Sequence, residues 1–177
     1  MAALEASMPC LWPEELQDLL PRDARVTLQT QKTNLRRQWG IFSKVFPEVP
    51  QQEFQHAWML VNSRSFLDGT PETDNYPWED RLALVPVADL FNHSEAGSRV
   101  QATSEGGYLV TTDKAYKKGE EVFITYGSHP NDYMLVEYGF ILDHNKHDEV
   151  HLDDIIMPKL DEGQRVELEN GRKPLFI

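Results

Sequence analysis

Leu84-Val-Pro-Val-Ala-Asp-Leu-Phe-Asn-His-Ser94 is a short apolar run cut by a proline and then set with Asp89, Asn92 and His93. Residues 82–85 have the composition of a short strand, and Pro86 ends it. The polar residues that follow lie in apolar sequence, so the expectation is a buried polar cluster. Such a cluster must be hydrogen-bonded to backbone, water or a ligand. Two readings stay open from these residues alone. Asp89 and Asn92 cap a turn with His93 packed beneath, or the cluster is a binding site.

Upstream the pattern is helical. Trp12-Pro13-Glu14-Glu15-Leu16 opens a short helix that stops before Pro21, with proline and acids where a helix start favours them. A longer helix from Asp23 places Leu28, Leu35, Trp39, Phe42 and Phe46 on one stripe, ended by Pro47 and Pro50. Phe54, Ala57, Trp58 and Val61 repeat the helical spacing toward Arg64. These aromatics read as core. Residues 67–81, with two prolines, a glycine and many acids, read as a loop.

Downstream the texture changes to strands. Residues 100–103 and 108–112 flank Ser104-Glu-Gly-Gly107 as a β-hairpin. A strand is expected over 121–126, then a short helix with Pro130 in its first turn and Gly139 past its end. Another helix is expected over 161–169. Helices beside short antiparallel strands define an α+β domain. Tyr126-Gly127 and Tyr138-Gly139-Phe140 bracket the short helix. They line a pocket or are core tyrosines beside turn glycines; the residues leave both open.

The chain has 177 residues, 40% hydrophobic and 26% charged, and a net charge of −12. That fits one globular domain with a subdomain. The acidity argues against a nucleic-acid partner and suits a basic one. It is concentrated in residues 61–142, which carry 6 basic and 13 acidic groups. No apolar run reaches the length of a membrane span, so a soluble, intracellular protein is expected. Cys10, the single cysteine, excludes an internal disulfide and a cysteine-cluster zinc site. His144, His147 and His151 lie in polar sequence and read as a solvated segment rather than a metal site. Phosphate-loop and hydrolase-elbow motifs are absent.

Four blocks in order carry a family resemblance: Trp58-Met-Leu-Val-Asn-Ser-Arg-Ser-Phe66, the Leu84–Ser94 stretch, Gly119-Glu-Glu-Val-Phe-Ile-Thr-Tyr-Gly127 and Asn131-Asp-Tyr-Met-Leu-Val-Glu-Tyr-Gly-Phe140. Together they resemble a SET-domain protein methyltransferase of the Rubisco large-subunit methyltransferase-like branch. The resemblance implies a β-clip, pseudoknotted fold, of which this chain is the C-terminal portion with an all-helical insert. Residues 11–60 match the insert, 61–155 the C-terminal part of SET, and 156–177 a tail that starts a truncated C-terminal region.

It also implies methyl transfer from S-adenosyl-L-methionine to a lysine side-chain amine of a protein substrate. By position, Arg64, Asp89, Asn92 and His93 match cofactor contacts, and Tyr126 matches the active-site tyrosine, itself close to the cofactor. Phe140 and Tyr138 match aromatics of the cofactor and lysine channel. Phe66 falls where lysine-directed members place an apolar side chain and a histidine-directed relative a polar one. The family's G-x-G element occurs nowhere in the 177 residues. The expectation is therefore a chain that leaves an apolar patch exposed, self-associates or needs an N-terminal SET half, and binds cofactor poorly alone. The alternatives are a catalytically inactive, SET-derived interaction module and a histidine-directed protein methyltransferase.

Overall fold

The computed structural model describes residues 6–171. A short helix α1 (Glu14–Gln17) precedes the long α2 (Arg22–Val45) and α3 (Gln51–Arg64). Prolines 13, 21 and 50 occupy the three N-cap positions, where proline's own missing N–H removes no intrahelical hydrogen bond. Asp23 in the first turn and Lys44 in the last suit the dipole of α2. Phe46 caps α2, and Pro47 cannot continue it.

The core lies among helices. Leu20, Ala24, Leu28 and Leu35 pack with Trp58, Met59 and Val136, and Met8 and Cys10 close the N-terminal side. Val136 belongs to α4 (Asn131–Tyr138), which packs on α2. The expected stripe on α2 is therefore only half core. Leu28 and Leu35 are buried, whereas Phe46 is 45% exposed. Trp39 and Phe42 are half-buried and pack in tilted geometry against Phe54, at 5.3 and 4.7 Å between ring centroids. Phe46 continues the row, 4.9 Å from Phe42 between ring centroids, at its exposed end.

Two small antiparallel sheets follow. Strand β1 (Ser65–Leu67) pairs with β2 (Leu82–Leu84), Phe66 opposite Ala83. Strand β3 (His93–Thr103) pairs with β4 (Gly107–Thr111), Arg99 opposite Thr111. The loop between β1 and β2 and the β3–β4 hairpin are as the sequence indicates. Two short helices close the described chain, α5 (Asp153–Ile156) and α6 (Glu162–Gly171). The latter meets the expected 161–169 helix.

The expected strand over 121–126 is not one. It has a single bridging residue, Ile124, joined in parallel to both His93 and Ser98. Ile124 N–H donates to the Asn92 carbonyl at 2.9 Å, Ser98 N–H donates to Phe123 at 2.7 Å, and Thr125 N–H donates to Ser98 at 3.1 Å. The segment thus runs against the first part of β3, meeting it at His93 and again at Ser98. Ile124 and Ser98 are fully buried at this crossing. A Cβ at Gly97 would strike the Ile124 backbone. A glycine there lets two backbones touch.

Candidate active site

One cavity of about 470 Å³ is lined by Arg64, Phe66, Asp89, Asn92, Tyr126, Tyr138 and Phe140. They come from the end of α3, from β1, from the segment after β2, from the crossing segment and from the end of α4. The size is that of a pocket for a small organic ligand. Of the residues the sequence nominates, only His93 is absent from the wall. It lies behind Tyr126, where its Nδ1 accepts the Tyr126 N–H at 3.0 Å and its ring stands 5.1 Å from the tyrosine ring. Burial depresses its pKa, with His129 and His147 acting in the same direction and Glu95 opposing. The ring is held neutral, as an acceptor must be.

Tyr126 is fixed three ways. Its hydroxyl donates to the Phe91 carbonyl at 2.6 Å, its N–H is taken by His93, and its ring packs 5.1 Å from Tyr138 and 6.2 Å from Phe140. With its proton committed to Phe91, the phenolic oxygen keeps lone pairs for another group. Burial raises the pKa of Tyr126 and, more strongly, of Tyr138, where Tyr133 and Glu137 add to the effect. Both phenols stay protonated at neutral pH.

Arg64 donates to the Asp89 backbone carbonyl at 3.1 Å and stands 3.8 Å from its carboxylate. The pair presents one positive and one negative group to the cavity. Val87, just before, has φ 78° and ψ −46°. That is a strained conformation for a β-branched residue, and it turns the chain into Ala88–Leu90. The expected burial of the cluster is corrected here. Asp89 and His93 are half-buried and Asn92 is exposed, its amide donating to Glu121 at 2.6 Å. Only Ala88 of this run is buried. Asp89 and Asn92 line an open cavity instead of sitting under a packed layer.

A second, larger cavity of about 1070 Å³ lies between α2, α3 and α4. Tyr126 and Tyr138 line it too, so this tyrosine pair is a wall common to both cavities. Sequence reasoning missed Gly97, Ser98 and Glu121, which hold the crossing and Asn92. Gly97 stands in Ser94-Glu-Ala-Gly-Ser-Arg99, outside any strand pattern, so the sequence held little signal for this close backbone approach. Among the described residues no cluster suits a metal ion. His151 instead faces Asp23 and Glu149. Cys10 is buried, and that burial is the main cause of its raised thiol pKa, which disfavours the thiolate. No helix among the described residues is long and apolar enough to cross a membrane.

An α+β domain with a crossed-over segment and a tyrosine wall narrows the class, and the comparisons settle it. The SET domain family model matches residues 12–127. The chain belongs to the SET domain family. It is 32% identical over 141 residues to ribosomal lysine N-methyltransferase set11 of Schizosaccharomyces pombe, covering 80% of this chain and 36% of that protein. It is 32% identical over 165 residues to SET domain-containing protein 4 of Homo sapiens, covering 85% of this chain and 37% of that protein. The chain thus spans well under half the length of these relatives. The SET domain of LSMT bound to methyllysine and AdoHcy superposes with a TM-score of 0.59 at 23% identity, over 93% of this chain and 40% of that one. That likeness establishes the fold.

Proposed function

We propose that this chain carries the cofactor-facing and amine-facing wall of an S-adenosyl-L-methionine-dependent protein-lysine N-methyltransferase. The observation that carries the proposal is the tyrosine pair shared by two cavities, which offers one ligand access from each side. The relative set11 is named as a ribosomal lysine N-methyltransferase, and the structural relative holds methyllysine and AdoHcy.

The smaller cavity fits the amino-acid end of the cofactor. A zwitterion needs a cation and an anion side by side, and Arg64 with Asp89 supplies both. Phe140 and Phe66 give apolar wall, and Asn92 an amide at the rim. S-adenosyl-L-methionine, when bound, supplies an activated methyl group. The chain's own work is positional. Tyr126 Oη offers an acceptor at a fixed point, and the rings of Tyr126, Tyr138 and Phe140 exclude water. An ammonium entering among them is desolvated, which lowers its pKa and favours the free amine. The apolar Phe66 is the feature that favours lysine over histidine as the methylated residue.

Calorimetry with S-adenosylhomocysteine tests this, on the chain alone and on the chain co-purified with an N-terminal SET segment carrying a G-x-G element. Weak binding by the chain alone and at least ~10-fold tighter binding by the pair, about 1.4 kcal/mol or more, is the expected result. Arg64→Ala should remove the gain. Absence of heat in both samples would leave an interaction module without cofactor and overturn the proposal.

A further inference from the structure

The larger cavity contains a feature that methyl transfer at the tyrosine wall does not use. His129, Tyr133 and Glu137 all line it and stand four residues apart. At helical spacing, Tyr133 and Glu137 share one face of α4, and His129 stacks on Tyr133 at 4.2 Å between ring centroids and 20° between planes. The stacked rings lead to a carboxylate. Among the described residues Glu137 accepts one neutral hydrogen bond, from Gln31 Nε2 at 3.2 Å, and no ion pair reaches it.

Gln31 gives a second, independent sign. It is only 4% exposed and lines the same cavity, yet its Oε1 has no donor. A buried acceptor without a donor is costly. A half-buried carboxylate beside it, with no cation, is costly for the same reason. Burial raises the Glu137 pKa, only partly offset by the Gln31 bond. Glu137 lacks the multi-donor cation that would pair it, and Gln31 Oε1, sealed from solvent, adds a second unmet acceptor beside it. From the other packed helices the titratable groups facing this cavity are Arg37 of α2 and Glu53 of α3.

We propose that Glu137, approached along the faces of His129 and Tyr133, receives a cationic side chain of the protein substrate, an arginine or lysine flanking the residue that is methylated. The inference rests on the methyltransferase reading and adds a specificity subsite to it. A flat guanidinium stacks on the rings and forks onto the carboxylate, so arginine fits better than lysine. Tyr138 lies 6.3 Å from Tyr133 between ring centroids. The subsite is thus one ring away from the wall where the amine enters, and the flanking residue lies within a few positions of the target.

The test uses blocked heptapeptides with a central lysine and one arginine placed at each other position in turn, each paired with a citrulline twin of the same shape and no charge. Binding to the chain is followed by fluorescence anisotropy. At one or two positions arginine should bind at least ~10-fold more tightly than citrulline, and Glu137→Gln should reduce that ratio to below ~2. Equal binding of all twins to the wild type, or an unchanged ratio in the variant, overturns the inference. Should Glu137→Gln not fold, the wild-type side-chain resonances of Glu137 and Tyr133 decide. They should move with the arginine peptide and stay with its twin, and no movement overturns the inference. Calorimetry with S-adenosylhomocysteine separates the two readings. Cofactor binding without arginine preference sinks the subsite alone. Arginine preference without cofactor binding, with or without the N-terminal segment, sinks the methyltransferase reading and leaves a site for basic peptides.

Discussion

Tyr126 is held by its hydroxyl, its N–H and its ring. Removing its hydroxyl loses one bond to the Phe91 carbonyl, worth about 1 kcal/mol of stability, while the ring keeps its packing. In a form of the protein that turns over, Tyr126→Phe should therefore lower turnover about 10- to 1000-fold with the melting transition nearly intact; unchanged turnover would remove Tyr126 from the chemistry. His93 gives a pH signature. Its folded pKa lies below the ordinary 6.5, so the unfolded chain binds the proton more readily. The associated stability is present above 6.5 and is lost as pH falls through the depressed value. His129, also depressed by burial, adds slope of the same sign, whereas Glu137, raised above 4.5, adds the opposite slope at lower pH. The melting temperature should fall between about pH 7.5 and 5.5, and His93→Gln should flatten part of that fall. A variant with an unaltered slope would show that the Tyr126 N–H does not depend on the neutral ring. At this scale the residue types at the site were legible, but their exposure was not. Asn92 in apolar sequence reads as buried, yet it is exposed because what borders it is a cavity.

Elements whose determinants are local match their sequence pattern. Prolines start the helices, Ser104-Glu-Gly-Gly107 turns the hairpin, and Gly139 closes α4 at φ 79°. Pro130 caps α4 rather than entering its first turn, a shift of one residue. The segment 121–126 has strand composition but lacks strand neighbours, which no local propensity reveals. Its position depends on Gly97, and that dependence is measurable. Gly97→Ala pushes a methyl into the Ile124 backbone. Neither side can yield, because Ile124 is bonded to Asn92 and its neighbours to Ser98. Overpacking of this kind costs about 3 kcal/mol, a fall of roughly 6–12 °C in melting temperature for a chain this size. The crossing carries Tyr126 two residues beyond Ile124, so the variant should also lose cofactor binding in any binding-competent form. A stable Gly97→Ala protein with unaltered cofactor affinity would show that the crossing does not position the site.

Over the whole molecule, burial is uneven. The helical side has a contiguous core of Leu28, Leu35, Trp58, Met59 and Val136. The strand side leaves Leu67, Leu84, Val87 and Leu90 exposed at 44, 57, 69 and 73%, and the helical side likewise leaves Leu19, Val26, Ile41 and Val45 exposed. Single exposed apolar residues are ordinary, but the strand-side four fall within β1, β2 and the turn that follows, beside the smaller cavity. Two-stranded sheets with one uncovered face are marginal by themselves. The sequence pointed to this through the small number of strands, and it placed the deficit on the α2 stripe as well, where Leu35 is buried but Phe46 is left exposed. The 177-residue chain should therefore bind a hydrophobic dye in its folded state and associate as its concentration rises, as contiguous patches above ~300–600 Å² do. Leu84→Lys with Leu90→Lys should abolish both effects without lowering the melting temperature, since neither side chain is buried. Sedimentation at several concentrations, with dye fluorescence in parallel, reads the outcome. A wild-type chain that stays monomeric and dark with dye would mean that the strand side needs no cover, and that the cavity beside it is complete as it stands.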